Sequence, residues 1–301
     1  MEKIKIANAP CSWGALEFDL DTPPPTHLQV LAEIQETGYS GTELGDWGFM
    51  PTEPAALRSI VDKHRLDMIG AFIPVALADA SAHAQGINNA LRVARLLIEA
   101  GYSDAFIVLA DENGTNPNRT RNAGRITPAQ SLNEQQWHTF AAGANNVAQA
   151  VKSEYGLRTV FHHHGAGFVE TPDELDQLMA WTDPNLLGLC FDTGHYAFGG
   201  GDPVAGLEKH LDRVWHVHFK DYAPQVGNNA AEHNWDYFDA VRNGIFCELG
   251  KGNVDFAQIL NLLKQHQYAG WIVVEQDVLP GMGTPKAYAQ HNRDFLRKLG
   301  I

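Results

Sequence analysis

Eight short apolar runs, rich in β-branched residues, alternate along this chain with amphipathic stretches of helical period. The runs are IKIANA (4–9), YSGTEL (39–44), LDMIGAF (66–72), AFIVLA (105–110), RTVFHH (158–163), LLGLCF (186–191), RVWHVHF (213–219) and WIVVEQ (271–276). Between them, Ile87, Ala90, Leu91, Ala94, Leu97 and Ile98 repeat at i, i+3, i+4, i+7, as do Trp137, Phe140, Ala141, Ala144, Ala148 and Val151. Strand–helix alternation dictates parallel pairing, because only a crossover helix returns the chain in the same direction. Eight such units predict an α/β fold, a closed (β/α)8 TIM barrel, over an open doubly wound sheet. No GxGxxG follows the first run, which speaks against a dinucleotide-binding fold. The length, 301 residues, fits one barrel domain over 1–301.

Local signals mark several helix starts. Ser131 with Glu134 reads as a capping box, Thr171, Pro172 and Glu174 as N-cap, N1 and N3, and Asp255 as an N-cap. Two segments are too long for simple βα loops, 111–130 after the fourth run and 222–246 after the seventh. Both follow strand C-termini and so belong on the catalytic face, where long loops cover a pocket or make a subunit interface. Their aromatics and amides, such as Trp235, Tyr237 and Asn118, suit either use, and a homo-oligomer stays open.

Four polar residues end apolar runs: His162 in TVFHHH, Asp192 in LLGLCFDTGH, His218 in RVWHVHFKD and Glu275 in WIVVEQD. Buried ionisable groups are costly unless paired or metal-bound. Two imidazoles and two carboxylates converging from separate strands suit a divalent cation such as Mn²⁺, Co²⁺ or Zn²⁺. In VFHHH, alternation sends His162 and His164 to one face and His163 to the other. Asp192 could instead cap a helix, but HYAFGGGDP reads as a loop, which favours a ligand; His195 then reaches back to the mouth. His216 shares a face with His218 but lies deeper. Lys220 and Asp221 sit at the rim, either steadying negative charge or inert. Glu275 needs a metal, an arginine or a proton. Glu43, ending GTELGD, could bind substrate hydroxyls or hold a histidine.

The net charge of −14, from 36 acidic and 22 basic residues, disfavours nucleic acid and anionic membranes as partners. No run reaches the roughly 18 apolar residues needed to span a bilayer. MEKIKIANAPCSWG shows no leader pattern, and three scattered cysteines (Cys11, Cys190, Cys247) fit free thiols in a reducing cytoplasm.

TVFHHHGAGFVET, TDPNLLGLCFDTGHYAFGGGDP, KHLDRVWHVHFKD, FDAVRNGIF and GWIVVEQD, spread over about 158–278, resemble the xylose isomerase-like barrel superfamily of sugar isomerases, epimerases and apurinic endonucleases. Within it they are most similar to the inosose (2-keto-myo-inositol) dehydratase family. APCSWG and GYSGTELG resemble the wider superfamily, with Trp13 and Glu43 expected at the substrate. The resemblance implies His162, Asp192, His218 and Glu275 as ligands of Mn²⁺ or Co²⁺, with Zn²⁺ as an alternative. It also implies His164 and His195 facing a cyclic polyol or sugar, with Lys220 and Asp221 beside it. His164, His195 and Glu275 are the candidates for proton transfer. Epimerases of the superfamily carry a glutamate at the position of His162. Its loss tilts the expectation to loss of water, with isomerisation or epimerisation as the alternative reaction and a catalytically idle sugar-binding barrel as another.

Overall fold

The computed structural model describes residues 4–14 and 25–301, so the expectation for the extreme N-terminus falls partly outside the described residues. Its strands are β1 (Lys5–Asn8), β2 (Gly41–Glu43), β3 (Asp67–Val75), β4 (Phe106–Asp111), β5 (Arg158–His162), β6 (Leu187–Asp192), β7 (Val214–Phe219), β8 (Asp221–Tyr222), β9 (Phe246–Cys247) and β10 (Trp271–Val274). Strands β1 to β7 and β10 form a closed parallel barrel, with β10 pairing both β7 and β1; β8 and β9 make a separate antiparallel ribbon. All eight apolar runs are therefore barrel strands.

The two-residue period of a strand decides what faces the barrel axis. Ile107, Leu109, Phe161, Leu189, Phe191, Val217, Phe219, Ile272 and Val274 belong to the large core shared with the helices. Their neighbours Phe106, Val108, Val160 and Cys190 form a separate inner cluster, and Val273 belongs to another with Ala7, Ala9 and Ile69. The inner rows run on through His162, Asp192, His216, His218 and Glu275. Register then sets these side by side at the C-terminal rim: Asp192 pairs with His218, His162 with Cys190, and Val273 with His218. Irregularities in register fall within β2–β3 beside Glu43 and within β6–β7 beside Cys190, where they re-aim the strand ends.

Helix starts follow local chemistry. Thr171 and Glu174 form the expected capping box, and Asp255 accepts from Gln258 N–H. The box at 131 and 134 is displaced: helix Glu134–Tyr155 is capped by Asn133 with Gln136, and Ser131 instead ends the short turn Pro128–Gln130. Asn133 wins because it stands immediately before the first helical residue.

The two long segments carry their own structure, with helix Pro117–Asn122 in the first and helices Pro224–His233 and Tyr237–Arg242 in the second. Ala123, Ala166, Phe198, Tyr237, Val241, Ile245, Phe246 and Leu279 bury one another in a small second core. Arg125 Nη2 ties the segments together by donating to Trp235 O at 2.9 Å.

Close helix–barrel packing rests on glycine at one telling place. A Cβ on Gly86, in helix His83–Glu99, would stand 2.5 Å from Val75 Cγ1 in β3. Gly86→Ala on an open helix face would stabilise by about 1 kcal/mol. Here the stiff valine cannot yield, and the expected outcome is a loss of about 1–3 kcal/mol from overpacking. Urea unfolding measures it, and a stabilised variant would contradict this packing.

Candidate metal centre and active site

One ligand atom from each of His162, Asp192, His218 and Glu275 lies within 4.8 Å of all the others, and all four residues are buried. Asp192 Oδ2 stands 3.6 Å from His162 Nε2 and 4.0 Å from His218 Nδ1, and Glu275 Oε1 is 3.2 Å from His218 Nδ1. Two atoms bound to one ion at about 2.1 Å can be at most about 4.2 Å apart, so these separations suit a shared cation. The donors support the fit. His162 Nδ1 and Nε2, Asp192 Oδ2 and His218 Nδ1 are buried polar atoms that make no hydrogen bond among the described residues. Such atoms call for a partner. A set of two nitrogens and two carboxylates matches Mn²⁺, Co²⁺ or Zn²⁺ chemistry.

Asp192 has two jobs, which corrects the reading of HYAFGGGDP as a loop. Helix Thr193–Phe198 follows at once, and Asp192 Oδ1 accepts from His195 N–H at 2.7 Å. The cap fixes the carboxylate so that Oδ2 faces the cluster. A carboxylate has two oxygens, so a cap through Oδ1 leaves Oδ2 able to serve as a ligand.

Behind the cluster, Glu43 Oε1 lies 2.9 Å from His216 Nε2 and 3.1 Å from His218 Nε2. The carboxylate thus orients His218 so that Nδ1 faces the other ligand atoms. Burial raises the Glu43 carboxyl, but His218 and His216 outweigh it and bring its pKa to about 2. Burial opposes charge on His218, yet Cys190, Glu275 and Glu43 together hold its pKa well above the ordinary value. Asp192 and Glu275 stay below the usual carboxylate range despite burial, because His162 and Lys220 favour the charged form of the first and His218 and Lys220 that of the second.

The cavity in front is lined by Pro10, Cys11, Glu43, Asp46, Phe72, His162, His164, His195, His218, Lys220, Tyr237, Glu275 and Asp277, among others. Lys220 Nζ lies 3.1 Å from Asp277 Oδ2, 3.4 Å from Glu275 Oε2 and 3.4 Å from His195 Nε2. Burial disfavours its charge, but Asp277, Glu275 and Asp192 keep it an ammonium. His195 is held neutral by burial, by Lys220 and by His162. His164 is pinned: Nδ1 lies 2.9 Å from Gly165 O and Nε2 2.9 Å from Asp111 O. A neutral ring satisfies only one such carbonyl. Burial and His162 nevertheless bring its pKa to about 4, against the pull of those carbonyls. His163 points away, accepting from Asp192 N–H at 3.2 Å and packing on Phe191 and Tyr196.

Two expected substrate contacts lie elsewhere. Trp13 is buried in the main core and spends its indole N–H on Glu33 at 2.7 Å. Asp221 is turned into the chain, where its two oxygens accept from the amides of Tyr222, Gly250, Gly252 and Val254. Neither lines the cavity. Sequence reasoning missed Asp277, although Glu275 and Asp277 share a face by simple alternation. It also missed Asp46, which stands in the GTELGD segment already singled out for Glu43.

Residues 31–299 match the xylose isomerase-like TIM barrel family, and the chain belongs to it. Among named relatives, it is 31% identical to the inosose dehydratase of Geobacillus kaustophilus (strain HTA426), over 98% of this chain and 94% of the relative. It is 35% identical to the rhizopine catabolism protein MocC of Rhizobium meliloti, over 98% of this chain and 88% of the relative. Among solved structures, the probable 3-DHS dehydratase AsbF of Bacillus anthracis superposes with a TM-score of 0.69 at 13% identity, covering 98% of this chain and 99% of that one. The 3-keto-D-glucoside 4-epimerase YcjR of E. coli gives 0.67 at 17% identity, covering 99% of each. At such identities these two structures speak to the fold alone.

Asp192→Ala or His218→Ala is expected to leave purified protein without bound metal, measured by elemental analysis of the folded variant. Stoichiometric metal in either would overturn the ligand set. Glu43→Gln, which keeps all four ligands, should weaken Mn²⁺ binding about 10–100-fold. The pH dependence has a definite sign. A cation must displace the proton that His218 holds at neutral pH, so affinity should rise with pH there. The depressed carboxylates are already ionised and add no slope. Calorimetry in buffers of different ionisation enthalpy would show the released proton, and affinity independent of pH would contradict this account.

Proposed function

We propose that this chain is a metal-dependent dehydratase of inositol catabolism, removing water from 2-keto-myo-inositol (scyllo-inosose) or a close cyclic polyol ketone. We read it as one barrel domain acting in the cytoplasm, with Mn²⁺ or Co²⁺ held by His162, Asp192, His218 and Glu275. The observation that carries the reading is the meeting of these four, of which His162, His218 and Glu275 line one cavity with His195 and Lys220. Near full-length similarity to proteins named inosose dehydratase gives the substrate class.

A divalent cation held there would polarise the ketone and neighbouring hydroxyl oxygens of a polyol ketone, acidifying the adjacent C–H. The chain's own residues divide the remaining work. Both nitrogens of His195 face donors, Gly165 N–H at 3.3 Å from Nδ1 and the Lys220 ammonium at 3.4 Å from Nε2, which keeps the ring a neutral base, while both nitrogens of His164 face carbonyls. We assign His195 the removal of the α-proton. The imidazolium so formed stands beside the Lys220 ammonium and gives its proton up readily to the departing β-hydroxyl. Lys220, held charged by Asp277 and Glu275, stabilises negative charge developing on the substrate oxygen. Glu275 is occupied with His218 and Lys220, which leaves it the ligand role. Tyr237 and Phe246 of the roof keep bulk water from the histidine pair, with the Phe246 ring 4.7 Å from that of His195.

Protein loaded with Mn²⁺ or Co²⁺ should convert scyllo-inosose to its dehydrated dione, followed by ultraviolet absorbance of the enol product. No turnover with either metal would overturn the substrate assignment. Deuterium from solvent entering the substrate without loss of water would instead mark an epimerase. His195→Gln should lower kcat about 10²–10⁴-fold with metal retained, the span of a lost acid–base group.

A further inference from the structure

The turn after β5, residues 165–170, lies against both cavity histidines. Gly165 O faces His164 Nδ1, and Gly165 N–H donates to His195 Nδ1 at 3.3 Å. The turn is strained, with Ala166 at φ +66° and Val169 at φ +67°. A β-branched residue in the left-handed region is an outlier that persists only where its surroundings impose it. Here they do. Phe168 N–H donates to Asp111 Oδ2 at 2.8 Å, and Ala166 N–H to Glu170 Oε2 at 2.9 Å. From the opposite side comes Arg119, in helix Pro117–Asn122 of the first long segment, only 1% exposed. Its Nε donates to Gly167 O at 2.8 Å, and its Nη1 and Nη2 make a bidentate pair with Glu174 at 2.7 and 2.8 Å. Glu174 Oε2 also accepts from the amides of Glu170 and Thr171, so the clamp grips the turn at its middle and at its C-terminal end.

We propose that Arg119 is a positioning residue: it clamps the strained 165–170 turn from the segment after β4 and so fixes the rings of His164 and His195 at the cavity. Its guanidinium contacts none of the proposed metal ligands and is absent from the cavity wall. The geometry needs arginine, because four contacts from one planar group, two to a carboxylate and two to the carbonyls of Gly167 and Gln130, exceed what a lysine ammonium can reproduce. The proposal rests on the cavity being the active site, as argued above.

The test compares Arg119→Lys, Glu174→Gln and the apolar pair Arg119→Met/Glu174→Leu with the parent protein. Arg119→Lys should lower kcat on scyllo-inosose at least tenfold, with KM changed less than threefold and metal content unchanged. The apolar pair should recover thermal stability, since well-packed apolar residues can replace a buried ion pair, but not kcat. Recovery of kcat along with stability would reduce the clamp to a stabilising contact and overturn the proposal. So would full kcat in a destabilised Arg119→Lys assayed well below its melting temperature. Should Arg119→Lys not fold, Glu174→Gln, which keeps an acceptor oxygen, should show the same split in smaller measure; an unchanged kcat there counts against the clamp. Ring ¹⁵N signals of His164 and His195 are read without substrate, and should shift or broaden in each folded variant. Unchanged signals would refute the clamp even if inosose proved not to be the substrate, so the two failures remain distinguishable.

Discussion

Three buried carboxylates, Glu43, Asp192 and Glu275, surround His218 at the rim of the barrel, and their charge organises everything around them. No buried carboxylate is tolerable without compensation. Compensation is supplied by His216 and His218 against Glu43, by Lys220 against Glu275, and by the His195 amide against one oxygen of Asp192. What this leaves without a hydrogen bond among the described residues is Asp192 Oδ2, both nitrogens of His162 and Nδ1 of His218, the last beside Glu275. A site that has answered most of its charge internally and directs its remaining lone pairs to one point has the character of a metal centre. Lys220 lies within reach of both Glu275 and His195, so the charge arrangement that would hold a cation also keeps His195 neutral.

The barrel makes this possible through register. Asp192 and His218 are paired across β6 and β7, and Val273, two residues before Glu275, is paired with His218. Residues far apart in the chain become neighbours because eight strands end at one rim. The apolar inner rows beneath them are fully buried, which fixes each strand's register: a slip of one residue would turn the polar ends outward and leave apolar side chains at the cavity. Specificity of register and construction of the site are thus the same constraint. Above the rim, the two long segments pack over the mouth around Phe198, Tyr237 and Phe246, and Arg119 anchors the first of them to the turn that lies against His164 and His195.

The strands, their order and the four ligand candidates were legible because period and run length are local properties. His163 facing outward followed from the same two-residue rule. What was not legible depends on partners distant in the chain. Trp13 looked like a pocket aromatic, but Glu33 takes its N–H. Asp221 looked like a rim charge, but four loop amides claim it, three of them about 30 residues further on. Arg119, in a segment read as loop, gave no sign of burial, because its burial is created by Glu174 and the carbonyl of Gly167. The cap made by Asp192 was missed for a local reason: Thr193–Phe198 is a single short helix rich in residues that also suit loops.

The residue at 162 bears on the reaction through the same charge balance. With histidine there, a bound dication would meet two ligand carboxylates, Asp192 and Glu275; a glutamate would make three. Fewer anionic ligands leave more positive charge to polarise a ketone and a hydroxyl. A glutamate at 162 would also add a carboxylate able to carry protons on one face of the substrate. With an imidazole there instead, which makes no hydrogen bond among the described residues, the proposed proton transfer falls to His195, with the Lys220 ammonium beside it. Epimerisation needs a proton removed from one face and returned to the other, whereas elimination needs one base and an activated leaving group. A single histidine–lysine pair beside a strongly polarising centre answers the second requirement and not the first.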